Sequence, residues 1–254
     1  EELPRWPGTK KFPKASVVNE GFPGTFNISF SEPEQLAKFG SFIDITEPLI
    51  YTKIQPCIRI EDFLNKIVKK IDLYKYLGLF EIADVSGCIN LPTKKDYEKS
   101  AMFVIESMWN FLIKKLSLDP NKLYVKFFAG GNIKEVTEGK YNINKVAPPD
   151  EIGVYKWEEL GLSKKNLLPN RTRDTFLALY LRRPTYWGYR QEILYDIGKG
   201  KDENNLLDIG TVMYCPWVPV FENGKIVDIK DWDCVVSISG VGVERILMVK
   251  NEFN

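Results

Sequence analysis

Ser239-Gly240-Val241-Gly242-Val243-Glu244-Arg245 runs directly into Ile246-Leu247-Met248-Val249 near the end of the sequence. Glycines at 240 and 242 let a backbone approach a flat or crowded ligand closely. The Glu-Arg pair then opens an apolar run that reads as a buried helix. An arginine at that point suits phosphate, because its forked guanidinium and the helix N-terminus attract the same anion. The plain alternative is a strand-turn-helix junction with a surface ion pair. A second arginine-centred stretch far upstream, Gln55-Pro56-Cys57-Ile58-Arg59-Ile60-Glu61-Asp62, weighs against it.

Outward from these two stretches, the patterning alternates strands with a few helices. Leu49 to Ile60 reads as a β-branched strand interrupted by Pro56, and Tyr76 to Ala83 as a second strand. Between them, Glu61 to Leu73 has helical spacing. Lys95 to Leu116 is the clearest helix, with Met102, Ile105, Met108, Trp109, Leu112, Ile113 and Leu116 recurring every three or four residues. Leu123 to Ala129 is a strand closed by Gly130-Gly131, residues 132–150 a loop or small excursion, and Val154 to Leu160 a short helix ending at Gly161. Thr175 to Leu181, Glu192 to Ile197, Leu206 to Pro219 and Cys234 to Ser239 read as strands. The last two are joined by a turn at Glu222-Asn223-Gly224-Lys225, a strong hairpin signal. Residues 1–30, rich in Pro and Gly, read as an extended N-terminal arm, followed by a short helix over 31–39. The expectation is one α+β domain spanning 1–254, an antiparallel sheet flanked by helices.

Composition narrows the chemistry. The chain has 254 residues, 44% hydrophobic and 27% charged, ordinary for a globular protein. A net charge of +1 provides no overall basic field for capturing nucleic acid. Cys57, Cys88, Cys215 and Cys234 lack metal-ligand spacing and read as reduced, mostly buried thiols. The apolar runs fall short of a membrane span, and the first residues lack a signal-peptide core, so the expected setting is cytoplasmic with no membrane partner. Histidine is absent, which removes His-based triads and zinc sites. Any catalysis must then lean on a shifted carboxylate, Lys or Cys, or on electrostatic positioning by cations and a metal ion.

In order along the chain, the two arginine stretches resemble motifs 2 and 3 of the class II aminoacyl-tRNA synthetases, and most of all the alanyl-tRNA synthetase catalytic core. Gln55 to Arg59 is similar to the motif 2 entry strand and Leu79-Phe80-Glu81-Ile82 to its return strand. Leu116 to Gly131 and Glu192 to Gly198 resemble segments that follow, and Gly240 to Arg245 is similar to motif 3. The resemblance covers roughly residues 45–250 and implies ATP and Mg2+ as cofactors. It implies that Arg59 meets the α-phosphate and the substrate carboxylate, and that Arg245 meets the γ-phosphate of a bent ATP. Glu61, Lys75, Phe80, Asp208, Gly240 and Gly242 complete the implied ATP site, with Phe80 against adenine and Lys75 near phosphate. Asp208 and Glu192 are the implied magnesium ligands, and Thr211, Ile238 and Gly240 line the implied acid pocket. The plainer readings stay open: structural ion pairs for Arg59 and Arg245, core for Phe80, solvated or capping carboxylates for Asp208 and Glu192, and a loop charge for Lys75.

The departures concentrate at the amino-acid end. The family's aspartate for the alanine ammonium aligns with Ile238, and a buried ammonium without an anion is costly. A register shift of a residue or two would bring Asp233 or Asp231 there instead. The family's Asn aligns with Thr211, its motif 2 His with Tyr76, and its Pro-Cys-Gly-Pro-type loop with Tyr186-Trp187-Gly188-Tyr189-Arg190. With the sequence ending at Asn254, soon after Arg245, the expectation is of a core without the family's tRNA-recognition and editing regions. The resemblance thus implies adenylation of a small amino or carboxylic acid, with tRNA or a carrier as acceptor through another chain. The alternatives are a catalytic fragment or subunit of an alanine-tRNA ligase, and a non-catalytic nucleotide-binding regulator. A homodimer through motif 1, in residues 24–50, is left open.

Overall fold

The computed structural model describes residues 49–58, 78–90, 93–178, 186–198 and 206–253. The N-terminal arm, the helices read over 31–39 and 61–73, and Arg59, Glu61, Lys75 and Tyr76 lie outside the described residues.

Strands β1 (Leu49–Ile58) and β2 (Leu79–Asn90) form an antiparallel pair that places Cys57 opposite Phe80. Helix α1 (Lys94–Trp109) follows, started by a capping box in which Thr93 and Asp96 bond each other's backbone N–H. Ala101, Val104, Ile105, Met108 and Trp109 form its buried stripe. The helix expected to run to Leu116 widens into a π-helical stretch, Asn110–Lys115, before it ends. Next come β3 (Leu123–Phe128), the two-residue strands β4 (Gly131–Asn132) and β5 (Val146–Ala147) around the short helix α2 (Ile133–Val136), and helix α3 (Glu151–Leu160). Gly161 closes α3 in the left-handed region at φ 105°.

The strands β6 (Leu167–Asn170), β7 (Phe176–Ala178), β8 (Trp187–Asp196), β9 (Leu206–Glu222) and β10 (Lys225–Gly242) complete the main sheet, and helix α4 (Val243–Met248) ends it. The order is β1-β2-β10-β9-β8-β3-β6, with β7 against β8. Every pairing is antiparallel except β3 with β6, a parallel pair and a strand that the alternation pattern did not disclose. The β9–β10 turn has Asn223 at φ 50° and Gly224 at φ 75°, the paired positive angles of a type I′ hairpin. Both strands are longer than their apolar runs suggested, because the hairpin pairing of β9 with β10 runs on to the turn and carries polar residues of 225–231 into the ladder.

Each strand alternates, so the sheet has two faces. One is covered by α1 and α3 and holds the core, including Trp157, Trp187, Ile193, Tyr195 and Val212, all fully buried. At about 1.5–3 kcal/mol per large apolar side chain removed from water, this face dominates the folding energy. The other face carries the charged and glycine residues singled out in the sequence.

Candidate active site

One rung of the sheet crosses five strands on that second face. Lys126 of β3 pairs with Glu192 of β8, Glu192 with Thr211 of β9, Thr211 with Gly240 of β10, and Gly240 with Asp84 of β2. Side chains on one rung share a face, so four polar groups flank a glycine that contributes none. A Cβ built on Gly240 would lie 3.5 Å from both Asp84 Cβ and Ile82 Cγ2. Gly240 therefore leaves a gap between Asp84 on one side and Thr211 on the other.

Two interactions tie the rung to the turn at residues 242–245. Arg245, 11% exposed, donates through Nη1 to the Asp208 main-chain oxygen at 2.6 Å and to Asp208 Oδ2 at 3.0 Å. The Glu244 carboxylate accepts from the Glu81 backbone N–H with both oxygens at 3.0 Å. Adjacent residues of one turn thus reach β9 and β2, the strands on either side of β10. The surface Glu244–Arg245 pair of the plain sequence reading gives way to these two longer-range anchors. Phe80, half-buried beside Glu81, lies at the end of β2 nearest that turn.

A β-bulge brings Asp208 to this face. Ile193 pairs with Gly210 and Leu194 with Asp208, so β9 carries one extra residue. Ile209 and Leu207 enter the core, while Asp208 and Thr211, three residues apart, both meet the site face. On a regular strand that spacing would put them on opposite faces.

Glu192 sits between Lys126 Nζ at 3.1 Å and Arg190 Nη2 at 3.5 Å. Burial pushes its carboxyl above the usual carboxylate range, Arg190 and Lys126 pull it back, and the charge of Asp208 pushes it up further. The two carboxylates are therefore near enough to influence each other. They are hard oxygen donors of the kind Mg2+ takes, usually one or two at a time with phosphate and water completing the shell. Groups of three or more His, Cys, Asp or Glu able to hold a metal do not occur among the described residues.

Behind the rung, on the core face, a buried network holds β8 in place. Asp150 caps α3 through Gly153 N at 2.9 Å and accepts from Gln191 Nε2 at 2.7 Å and from the Tyr214 hydroxyl. Gln191 Oε1 accepts from Trp157 Nε1 at 2.7 Å. Gln191 stands between Arg190 and Glu192, and its carbonyl accepts from Thr211 Oγ1 at 3.0 Å. Burial raises the Asp150 carboxyl, opposed by the Tyr214, Gln191 and Gly153 hydrogen bonds.

The structure thus brings together Glu192, Asp208, Thr211, Gly240 and Arg245, with Gly242 capping α4 beside them. Ile238 is 1% exposed on the neighbouring rung, opposite Ser86 and Met213. Of the two alternative anions, Asp231 is exposed and opposite Trp217, beyond a register shift that separates it from the rung, and the side chain of Asp233 lies outside the described residues. Asp84 is the carboxylate the sequence reading missed: it is buried, accepts from Ser86 Oγ at 3.0 Å, and faces the gap over Gly240. Its signal was its even offset from Phe80, which puts both on one face of β2. Lys126 and Arg190 were missed too, although each alternates with core residues on its strand.

Comparison with solved structures gives the same architecture. A structure described as the RNA-binding domain of threonyl-tRNA synthetase from Cryptosporidium parvum Iowa II superposes with a TM-score of 0.50 at 11% identity, over 89% of this chain and 49% of that one. Apo histidyl-tRNA synthetase from S. aureus matches with a TM-score of 0.47 at 10% identity, over 87% of this chain and 50% of that one. The chain spans about half the length of these structures. No protein-family model and no curated protein matches the sequence. The fold is α+β and of the class II aminoacyl-tRNA synthetase type, a mainly antiparallel sheet with flanking helices. Among the described residues no helix is long and apolar enough to cross a membrane.

Proposed function

We propose that this chain binds ATP with Mg2+ over the rung and activates a small amino or carboxylic acid as its adenylate. The observation that carries this reading is the gap over Gly240, flanked by Asp84 on one side and by Thr211, Glu192 and Lys126 on the other, with Arg245 at its edge. In the reaction a carboxylate oxygen of the acid attacks the α-phosphorus. The bond to the bridging oxygen breaks, and pyrophosphate leaves with the electron pair. No proton is transferred, which suits a site without histidine.

What such a reaction requires is charge stabilisation and alignment. Arg245 takes the outer phosphates, and Arg59, carried over from the motif 2 resemblance, takes the α-phosphate and the substrate carboxylate. Phe80 lies against adenine and Lys75 near phosphate in the same reading, with Glu61 at the end of the entry strand. Asp208 and Glu192 hold Mg2+, whose contribution is to neutralise the phosphate charge. Where the substrate carries an ammonium, Asp84 supplies the anion that Ile238 cannot. Tyr214 and Gln191, from behind, keep the Arg190–Glu192 segment from shifting.

ATP–pyrophosphate exchange over a panel of acids tests the proposal. Exchange with one or more acids, lost in Arg245→Ala and in Arg59→Ala, supports it. Exchange confined to alanine makes the chain the activating part of an alanine-tRNA ligase, with tRNA reached through a partner. ATP binding with no exchange for any acid overturns the catalytic reading in favour of a nucleotide-binding regulator.

A further inference from the structure

The pairing of Arg245 with Asp208 has the wrong partner for a residue whose task is phosphate. Its Nη1 donates to two oxygens of the same aspartate, the main-chain oxygen at 2.6 Å and Oδ2 at 3.0 Å. The arginine side chain is 11% exposed, whereas that of Asp208 is 40% exposed. The cation is thus sheltered, and its anion still opens to solvent. The bulge in β9 aims Asp208 at this position. Glu244, pinned on the Glu81 N–H, fixes the backbone from which Arg245 springs.

We propose that Asp208 is a latch on Arg245: it holds the guanidinium until a divalent cation takes the carboxylate, so cation and polyphosphate bind with positive coupling. The proposal rests on the reading that Arg245 meets polyphosphate. A cation at Asp208 competes for the same carboxylate charge that now neutralises Arg245. The hydrogen bond to the main-chain oxygen is indifferent to that competition, so the guanidinium can turn about it while the α4 backbone stays put. Metal-free polyphosphate, by contrast, must pull Arg245 from a carboxylate that then repels it. Linkage makes the effect reciprocal: whatever loosens Arg245 strengthens the cation's hold on Asp208 by the same factor, typically about 5–150-fold for coupled sites.

The test uses one ligand at a time, because Mg2+ and polyphosphate also bind each other in solution. Tripolyphosphate binding is measured by calorimetry in EDTA for the wild type and Asp208→Asn. Mn2+ binding is measured by EPR without nucleotide for the wild type and Arg245→Gln. The latch requires Asp208→Asn to bind tripolyphosphate more tightly than the wild type, by about 5-fold or more, and Arg245→Gln to bind Mn2+ more tightly by a similar factor. A purely structural ion pair predicts the opposite sign in the first experiment, since losing it would disorder Arg245. Equal or weaker tripolyphosphate binding by a folded Asp208→Asn overturns the latch. If that variant fails to fold, unchanged or weaker Mn2+ binding by Arg245→Gln overturns it instead. A wild type that binds neither tripolyphosphate nor ATP, with or without Mg2+, overturns the underlying site reading rather than the latch alone.

Discussion

Arg245 and Asp150 show how differently two charged residues serve one site. In the proposed site Arg245 meets polyphosphate, so Arg245→Ala is expected to lower exchange kcat/KM by about 10²–10³-fold, the scale for losing one group that stabilises transition-state charge. A thermal melt should show it still folded. Asp150 faces the core and touches no ligand, so its loss should appear as stability. Asp150→Asn places an amide against three donors and is expected to cost about 2–4 kcal/mol in urea unfolding at neutral pH. The pH dependence has a defined sign. Burial raises the folded carboxyl above its unfolded value, so between the two the native state holds more protons, and stability falls as pH rises through that window. Asp150→Asn should lack this fall, so its deficit relative to the wild type should be largest at acidic pH and shrink as pH rises. A deficit that grows with pH would contradict the assignment. Asp84 lies at the limit of what sequence alone discloses. Its type and its even spacing from Phe80 were visible, but its opposition to Gly240 depends on which strands pair, and local pattern does not determine that.

Two glycines on neighbouring strands separate fold from site. Gly210 packs its bare Cα against the next strand: an added Cβ would sit 2.6 Å from the Gly240 carbonyl oxygen and 3.2 Å from Met108 Cε. Backbone cannot yield that distance, so Gly210→Ala is expected to destabilise by about 2–3 kcal/mol. Gly240 faces the opposite way, and a Cβ there meets only ordinary contacts at 3.5 Å. Gly240→Ala should unfold like the wild type in urea yet lose most of its ATP affinity by calorimetry, because the methyl group fills the gap between Asp84 and Thr211. Unchanged ATP affinity in a folded Gly240→Ala would show that the gap has no role in binding. At this scale much was legible. Helix α1, the Asn223-Gly224 hairpin and the cap at Gly161 follow from periodicity and turn chemistry, which are local. The bulge at Ile209 was not, because its cause is tertiary: Leu207 and Ile209 both gain by entering the core, and the strand absorbs the extra residue. Nor was β6, a short parallel strand whose Pro169 and Asn170 lack any strand preference.

The whole molecule is held by a sheet whose middle strands pair on both sides and whose β1 edge, among the described strands, pairs on one. Native-state hydrogen exchange should therefore find the slowest amides in β8, β9 and the 235–241 part of β10, and faster ones in β1. Comparable protection in β1 would mean that its outer edge is covered. The fold class was within reach of the sequence because many strand-like runs with only a few strong helices point to an α+β domain, and Asn223-Gly224 marks a hairpin between two of them. The site was only partly so, since it is a property of register across five strands. That register has a break worth using. Between Asp231 and Val236 the β10 chain carries three more residues than β9 does between Trp217 and Cys215. The offset divides the long hairpin into an outer arm and an inner ladder that are no longer indexed to each other. A graft at Asn223-Gly224, whether an affinity tag, a fluorophore pair or a folded domain, can lengthen or twist the outer arm while the inner ladder keeps its count. The molecule thus offers an attachment point at the far end of the hairpin from the proposed site, separated from it by the offset.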